Sequence, residues 1–187
     1  MKKVCILIAE GFEEVEALTV VDYLRRANLP IEMLSIDDKI QVTGAHGITV
    51  SADELLEKKA IEEYDAVVLP GGVEGTQHLK DSEKVIKFLQ AMSDRDKLIA
   101  AICAAPTVLE KAGLTQGKRG TSYPTLEDRL TFDAYEQELV VKDGNLITSR
   151  GPSTAVYFAL EIIEALAGPE KAEEIRKDIL LHLVEGR

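Results

Sequence analysis

Three groups of residues in this chain have the types and placing to do chemistry. The first is Cys103, in the run "LIAAICAAP" over residues 98–106. A thiol placed where an apolar strand gives way to a helix start meets unpaired backbone N–H groups, which favour the thiolate. The same cysteine could equally be packing, since free cysteine behaves as a small buried hydrophobe. The second is Glu16, in "AEGFEEVEAL" over residues 9–18. Glu13 and Glu14 suit a helix N-terminus through the macrodipole. Glu16 lies beyond them and can turn along the strand rim, where burial would raise its pKa and let it donate to a neighbouring thiolate. The third is the pair Gly71 and Gly72, in "LPGG". Glycines there permit positive φ and close backbone approach, and their N–H groups can form an oxyanion hole beside a thiolate; the alternative is an ordinary tight turn.

Other reactive residue types carry less. Cys5 sits inside an apolar strand and reads as packing. His46, His78 and His182 do not adjoin Cys103 in the sequence, so no Cys–His dyad has local support. No metal-ligand spacing, G-x-G-x-x-G or G-x-x-x-x-G-K-[ST] pattern occurs, and neither a metal nor a cofactor is expected.

These residues need elements to position them. Short apolar runs at 3–9, 30–36, 64–72 and 97–103 read as buried strands. Residues 13–27, 82–93, 105–113, 153–167 and 169–184 read as helices, the first with acids leading and Arg25 and Arg26 closing. Residues 39–53 and 138–152 read as hairpins, the second turning at Asp143-Gly144. A short strand precedes "GTSYP" at 120–124. Apolar strands alternating with helices predict a doubly wound α/β domain over residues 1–187, with a mainly parallel sheet covered on both faces. Ligands bind such sheets outside the carboxyl ends of the strands. "AEGFEEVE", "LPGG" and "ICAAP" all follow strands, so topology alone brings them to one rim.

Composition narrows the partners. The chain has 187 residues and a formal charge of −11, which disfavours nucleic acid and anionic lipid. Tryptophan is absent, and lysine and arginine form no stripe. Two cysteines without framework spacing point to a reducing, cytoplasmic setting. No run approaches the ~20 apolar residues of a membrane span.

The segments "AEGFEEVEAL", "YDAVVLPGG", "LIAAICAAP" and "TSRGP", in this order over nearly the whole chain, resemble the ThiJ/PfpI superfamily, in the branch of the Parkinson-associated protein deglycase and its bacterial relatives. The resemblance implies a flavodoxin-like fold and a homodimer. It puts the family's reactive cysteine on Cys103, its protonated glutamate on Glu16 and the glycines beside the thiol on Gly71 and Gly72. Two departures matter. Tyr123 stands where the human-like members carry a histidine, which removes a Cys–His mechanism. Ala104 follows the cysteine where the peptidase and glyoxalase branches carry histidine, which argues against a peptidase. The enzyme implied is a deglycase or glyoxalase-like catalyst. Its Cys103 thiolate attacks methylglyoxal-type aldehydes or their adducts on protein or nucleotide. The oxyanion rests on the Gly72 and Ala104 amides, and Glu16 moves the proton. The rival is an oxidative-stress sensor or redox-regulated chaperone whose Cys103 is oxidised to sulfinate. Both readings expect Cys103 to titrate well below the ~8.5 of a free thiol.

Overall fold

The computed structural model describes residues 2–186. Its centre is a seven-stranded sheet. The first two strands and the helix between them are β1 (Val4–Ile8), α1 (Glu14–Arg26) and β2 (Ile31–Ser35). A separate antiparallel hairpin follows, β3 (Gln41–Thr43) with β4 (Thr49–Ser51), and then the short edge strand β5 (Glu54–Leu55). The second half runs β6 (Ala66–Leu69), α2 (Val73–Asp81), α3 (Glu83–Asp94), β7 (Leu98–Ile102) and α4 (Pro106–Lys111). After the short pair β8 (Arg119–Gly120) and β9 (Ala134–Tyr135), the chain closes with β10 (Val140–Asp143), β11 (Leu146–Ser149), α5 (Ala155–Ala167), α6 (Pro169–Asp178) and α7 (Leu181–Glu185).

The strand order is β10-β11-β7-β6-β1-β2-β5, and every neighbour is parallel except β10 against β11. Alternation along β1 divides the core. Val4, Ile6 and Ile8 face one layer with Val20 and Leu24 of α1 and Phe158 and Ile162 of α5. Cys5 and Leu7 face the other with Leu79, Leu89 and Val108 of α2, α3 and α4. Strands buried on both faces carry no polar side, which is why they read as continuous apolar runs. The fold is flavodoxin-like α/β, as expected. No helix among the described residues is long and apolar enough to cross a membrane.

One element was left unassigned by the sequence and one expectation needed revision. The segment 73–81 is a helix that its sequence conceals, because "VEGTQHLKD" has few apolar residues and a central Gly75. That glycine is required by contact, since a Cβ there would lie 2.7 Å from the Phe12 nitrogen. The helix expected over 169–184 is two helices, broken where Leu180 adopts left-handed φ of 60°.

Candidate active site

β1 and β2 lie on one side of the point where strand order reverses, and β6 and β7 on the other. The loops after β1, β6 and β7 therefore meet, and backbone hydrogen bonds stitch them together. Glu13 N–H donates to Gly71 O at 3.0 Å, and Gly75 N–H to Gly11 O at 3.2 Å. The hairpin joins through Gly11 N–H to Thr43 O at 2.8 Å and Ala45 N–H to Phe12 O at 2.9 Å.

Cys103 follows the last residue of β7 with φ of 63°, left-handed for a residue that carries a Cβ. Such a conformation costs ~1–2 kcal/mol and persists only where the surroundings fix it. Two bonds fix it here: Cys103 N–H donates to Ser149 O at 3.0 Å, and Tyr123 N–H donates to Cys103 O at 2.8 Å. The turn lifts the side chain off the sheet, leaving the thiol partly exposed, with the amides of Ala104 and Gly72 donating to it. Cys5 is its opposite: fully buried, Sγ 3.7 Å from Ala66 O, and held well above the ordinary thiol range by desolvation.

Glu16, on the first turn of α1, is completely buried. Its Oε2 accepts from Gly71 N–H at 2.7 Å, while Oε1 has no hydrogen-bond partner among the described residues. Burial pushes its pKa from 4.5 up to about 7, against the opposing pull of the Gly71 amide and the Cys103 thiol. Gly71 therefore serves the carboxyl and not the sulfur, and its influence on the thiol runs through Glu16. Gly71 has no room for a side chain: a Cβ would sit 2.6 Å from Glu16 Oε2 and 2.7 Å from Cys103 Cβ. Gly72, with φ of 92°, turns its own N–H to the sulfur and starts α2.

The expected low thiol pKa is not what this arrangement gives. Burial first, and then the charge and acceptor oxygen of Glu16, push Cys103 up to about 12, against the Ala104 and Gly72 amides. An ionised carboxylate and a thiolate do not stand side by side in a dry site. Protonating Glu16 removes both its charge and its claim on the thiol hydrogen, so the two groups titrate as a pair.

Cys103, Ala104 and Gly72 open into a cleft of about 650 Å³, which Tyr123, Glu13, His46 and Thr107 also line. Tyr123 is 45% exposed. His46 was missed as a neighbour of Cys103 because 57 residues separate them in sequence and only the folded hairpin brings it to the cleft. Its ring bonds Glu14 and makes no hydrogen bond to Cys103. His78 is turned elsewhere, its Nδ1 3.0 Å from Glu10 O, and His182 lies on α7.

The same fold recurs in known proteins. The model of the DJ-1/PfpI family matches residues 2–165. Protein dj-1beta of Drosophila melanogaster is 41% identical over 182 residues, covering 96% of this chain and 97% of its own. A deglycase from Pyrococcus abyssi is 34% identical over 167 residues, covering 88% and 99%. The oxidized DJ-1 structure from Toxoplasma gondii superposes with a TM-score of 0.92 at 36% identity, over 96% and 98% of the two chains. A family match across most of the chain, joined to full-length relatives with this fold, establishes that the chain belongs to the DJ-1/PfpI family.

Proposed function

We propose that the protein is a cysteine-dependent deglycase or glyoxalase-like enzyme acting on small α-oxoaldehydes such as methylglyoxal, or on their adducts. The observation that carries this is the Cys103 thiol at an open cleft, with two amides donating to it and, buried beside it, a carboxyl that titrates near neutrality. A deglycase among the relatives supports the same reading.

A base works best when its pKa lies near the working pH. Glu16 at about 7 meets that condition. Its carboxylate takes the thiol proton as sulfur bonds to the aldehyde carbon. The carbonyl oxygen becomes an alkoxide against the amides of Gly72 and Ala104, and Glu16 returns the proton to it. In the hemithioacetal of methylglyoxal, Glu16 then removes the C1 hydrogen and delivers it to C2, while the proton of the C1 hydroxyl passes to the C2 oxygen, giving a lactoyl thioester. Water cleaves the thioester, releasing lactate and the thiol. The net reaction adds one water to methylglyoxal and changes no external oxidant. Tyr123 has no part in the proton transfers.

The test is lactate formation from methylglyoxal by the wild type and by Cys103→Ser. Loss of turnover by at least ~10² in the variant is expected; a variant as active as the wild type ends the reading. A second reading, a redox sensor whose Cys103 becomes a sulfinate, draws support from the Toxoplasma relative solved in an oxidized state. It expects stoichiometric peroxide consumption at Cys103 and no lactate.

A further inference from the structure

A cluster at the mouth of the cleft takes no part in this reaction. Glu13 and Glu14, where α1 begins, and His46, in the hairpin turn, each offer a ligand atom, and the three atoms lie within 4.8 Å of one another. His46 Nδ1 is 2.8 Å from Glu14 Oε2 and 3.7 Å from Glu13 Oε2.

The hairpin is built around Glu14. That residue is 3% exposed, and a Cβ on Gly44 would fall 2.3 Å from its carboxyl carbon. Its Oε1 accepts from the amides of His46 at 2.8 Å and Ile48 at 3.4 Å. Oε2 is left for the imidazole alone. An ion pair between Glu14 and His46 uses that oxygen, and Glu13, placed at the helix start where the macrodipole favours acids, brings a second carboxylate to the same ring. The Glu13 side chain is only 14% exposed, makes no hydrogen bond among the described residues and points at the same nitrogen. Two largely buried carboxylates thus converge on a single imidazole, in a chain that already carries a charge of −11.

We propose that Glu13, Glu14 and His46 form a binding site for a divalent cation of the zinc class. Ligands ~2.1 Å from a tetrahedral ion stand ~3.4 Å apart, between the two spacings seen here. An imidazole among the donors favours zinc-like ions over calcium or magnesium, which prefer all-oxygen sets. The amides on Oε1 are the outer bonds that hold a ligating carboxylate in place. The ion replaces the proton on Nδ1 and offsets the paired negative charge. His46 is on the open side, so the remaining coordination positions face the cleft and take water. The separation of 32 positions between Glu14 and His46 hides the cluster from any reading of sequence spacing.

The experiment is calorimetric titration of zinc chloride into Cys103→Ser, which removes the competing thiol, and into Cys103→Ser/His46→Ala and Cys103→Ser/Glu13→Gln. The altered His46 and Glu13 lie at the cleft mouth, and thermal melts confirm that each variant is folded. One zinc per chain in Cys103→Ser, weakened at least tenfold by either further substitution, is the expected result. No saturable binding to Cys103→Ser, or equal affinity in the His46→Ala background, overturns the proposal. The readout needs no turnover, so it stands or falls separately from the reaction at Cys103.

Discussion

Burying Glu16 has a consequence that depends on pH. Its carboxyl titrates at 4.5 in an ordinary setting and at about 7 in the fold, so between those values the native state holds a proton that the unfolded chain has released. The contribution of Glu16 to stability is therefore fully present below pH ~4.5 and lost as pH rises through ~7, amounting to ~3 kcal/mol. Chemical denaturation at pH 5 and pH 8 is expected to show this decline in the wild type and a flatter profile in Glu16→Gln. The same variant should lose ~10²–10⁴ in methylglyoxal turnover, since the amide cannot carry the proton. Gly71→Ala tests the contact between the pair. Its Cβ would wedge between Glu16 Oε2 and Cys103 Cβ, and kcat/KM is expected to fall at least tenfold while the sheet stays folded. That Cys103, Glu16, Gly71 and Gly72 would meet on one rim was legible in the sequence because strand ends in an open α/β sheet gather there, while their choice as a site rested on the family resemblance. The division of labour between the two glycines was not, because which amide meets which acceptor is settled by φ at Gly72 and by the depth of Glu16. The raised thiol pKa was equally hidden, because it depends on burial that no local motif encodes.

At the scale of elements, the strands were readable because burial on both faces leaves no polar alternation to confuse them. The helices at the carboxyl end were readable in outline only. Leu180 breaks the last one with φ of 60° while 56% of its side chain stays exposed. A leucine gains little from burial there and bears the left-handed penalty of ~1 kcal/mol. Leu180→Gly is expected to raise Tm by ~2–4 °C for a chain of this size, measured by calorimetry. An unchanged or lower Tm would show that the leucine side chain contributes more than its backbone costs. α2 was left open by the sequence: its residues are poor in helical signal, and contact with the loop after β1 decides their conformation. Tertiary packing overrides weak local preference there.

Across the whole molecule, 33 acidic residues face 22 basic ones. Most ion pairs are exposed and individually worth little. The net repulsion of the −11 charge acts on every part of the fold and is screened within ~8 Å at physiological salt. Raising sodium chloride from 10 to 200 mM is therefore expected to increase Tm; a decrease would mean that the local pairs outweigh the global repulsion.

The bond from Cys103 N–H to Ser149 O ties the elbow to a strand that enters the chain 43 residues after β7 begins its turn. β11 must add beside β7 before that acceptor exists. During synthesis, Cys103 leaves the ribosome well ahead of Ser149 and meets the cell as an ordinary thiol, without the left-handed turn that sets it among its amides. The cysteine acquires its special surroundings only when the sheet receives its last parallel strand. A chain cut short before residue 146 would keep the sulfur and lose the elbow, so the left-handed turn that sets Cys103 beside its amides waits on the last parallel strand of the sheet.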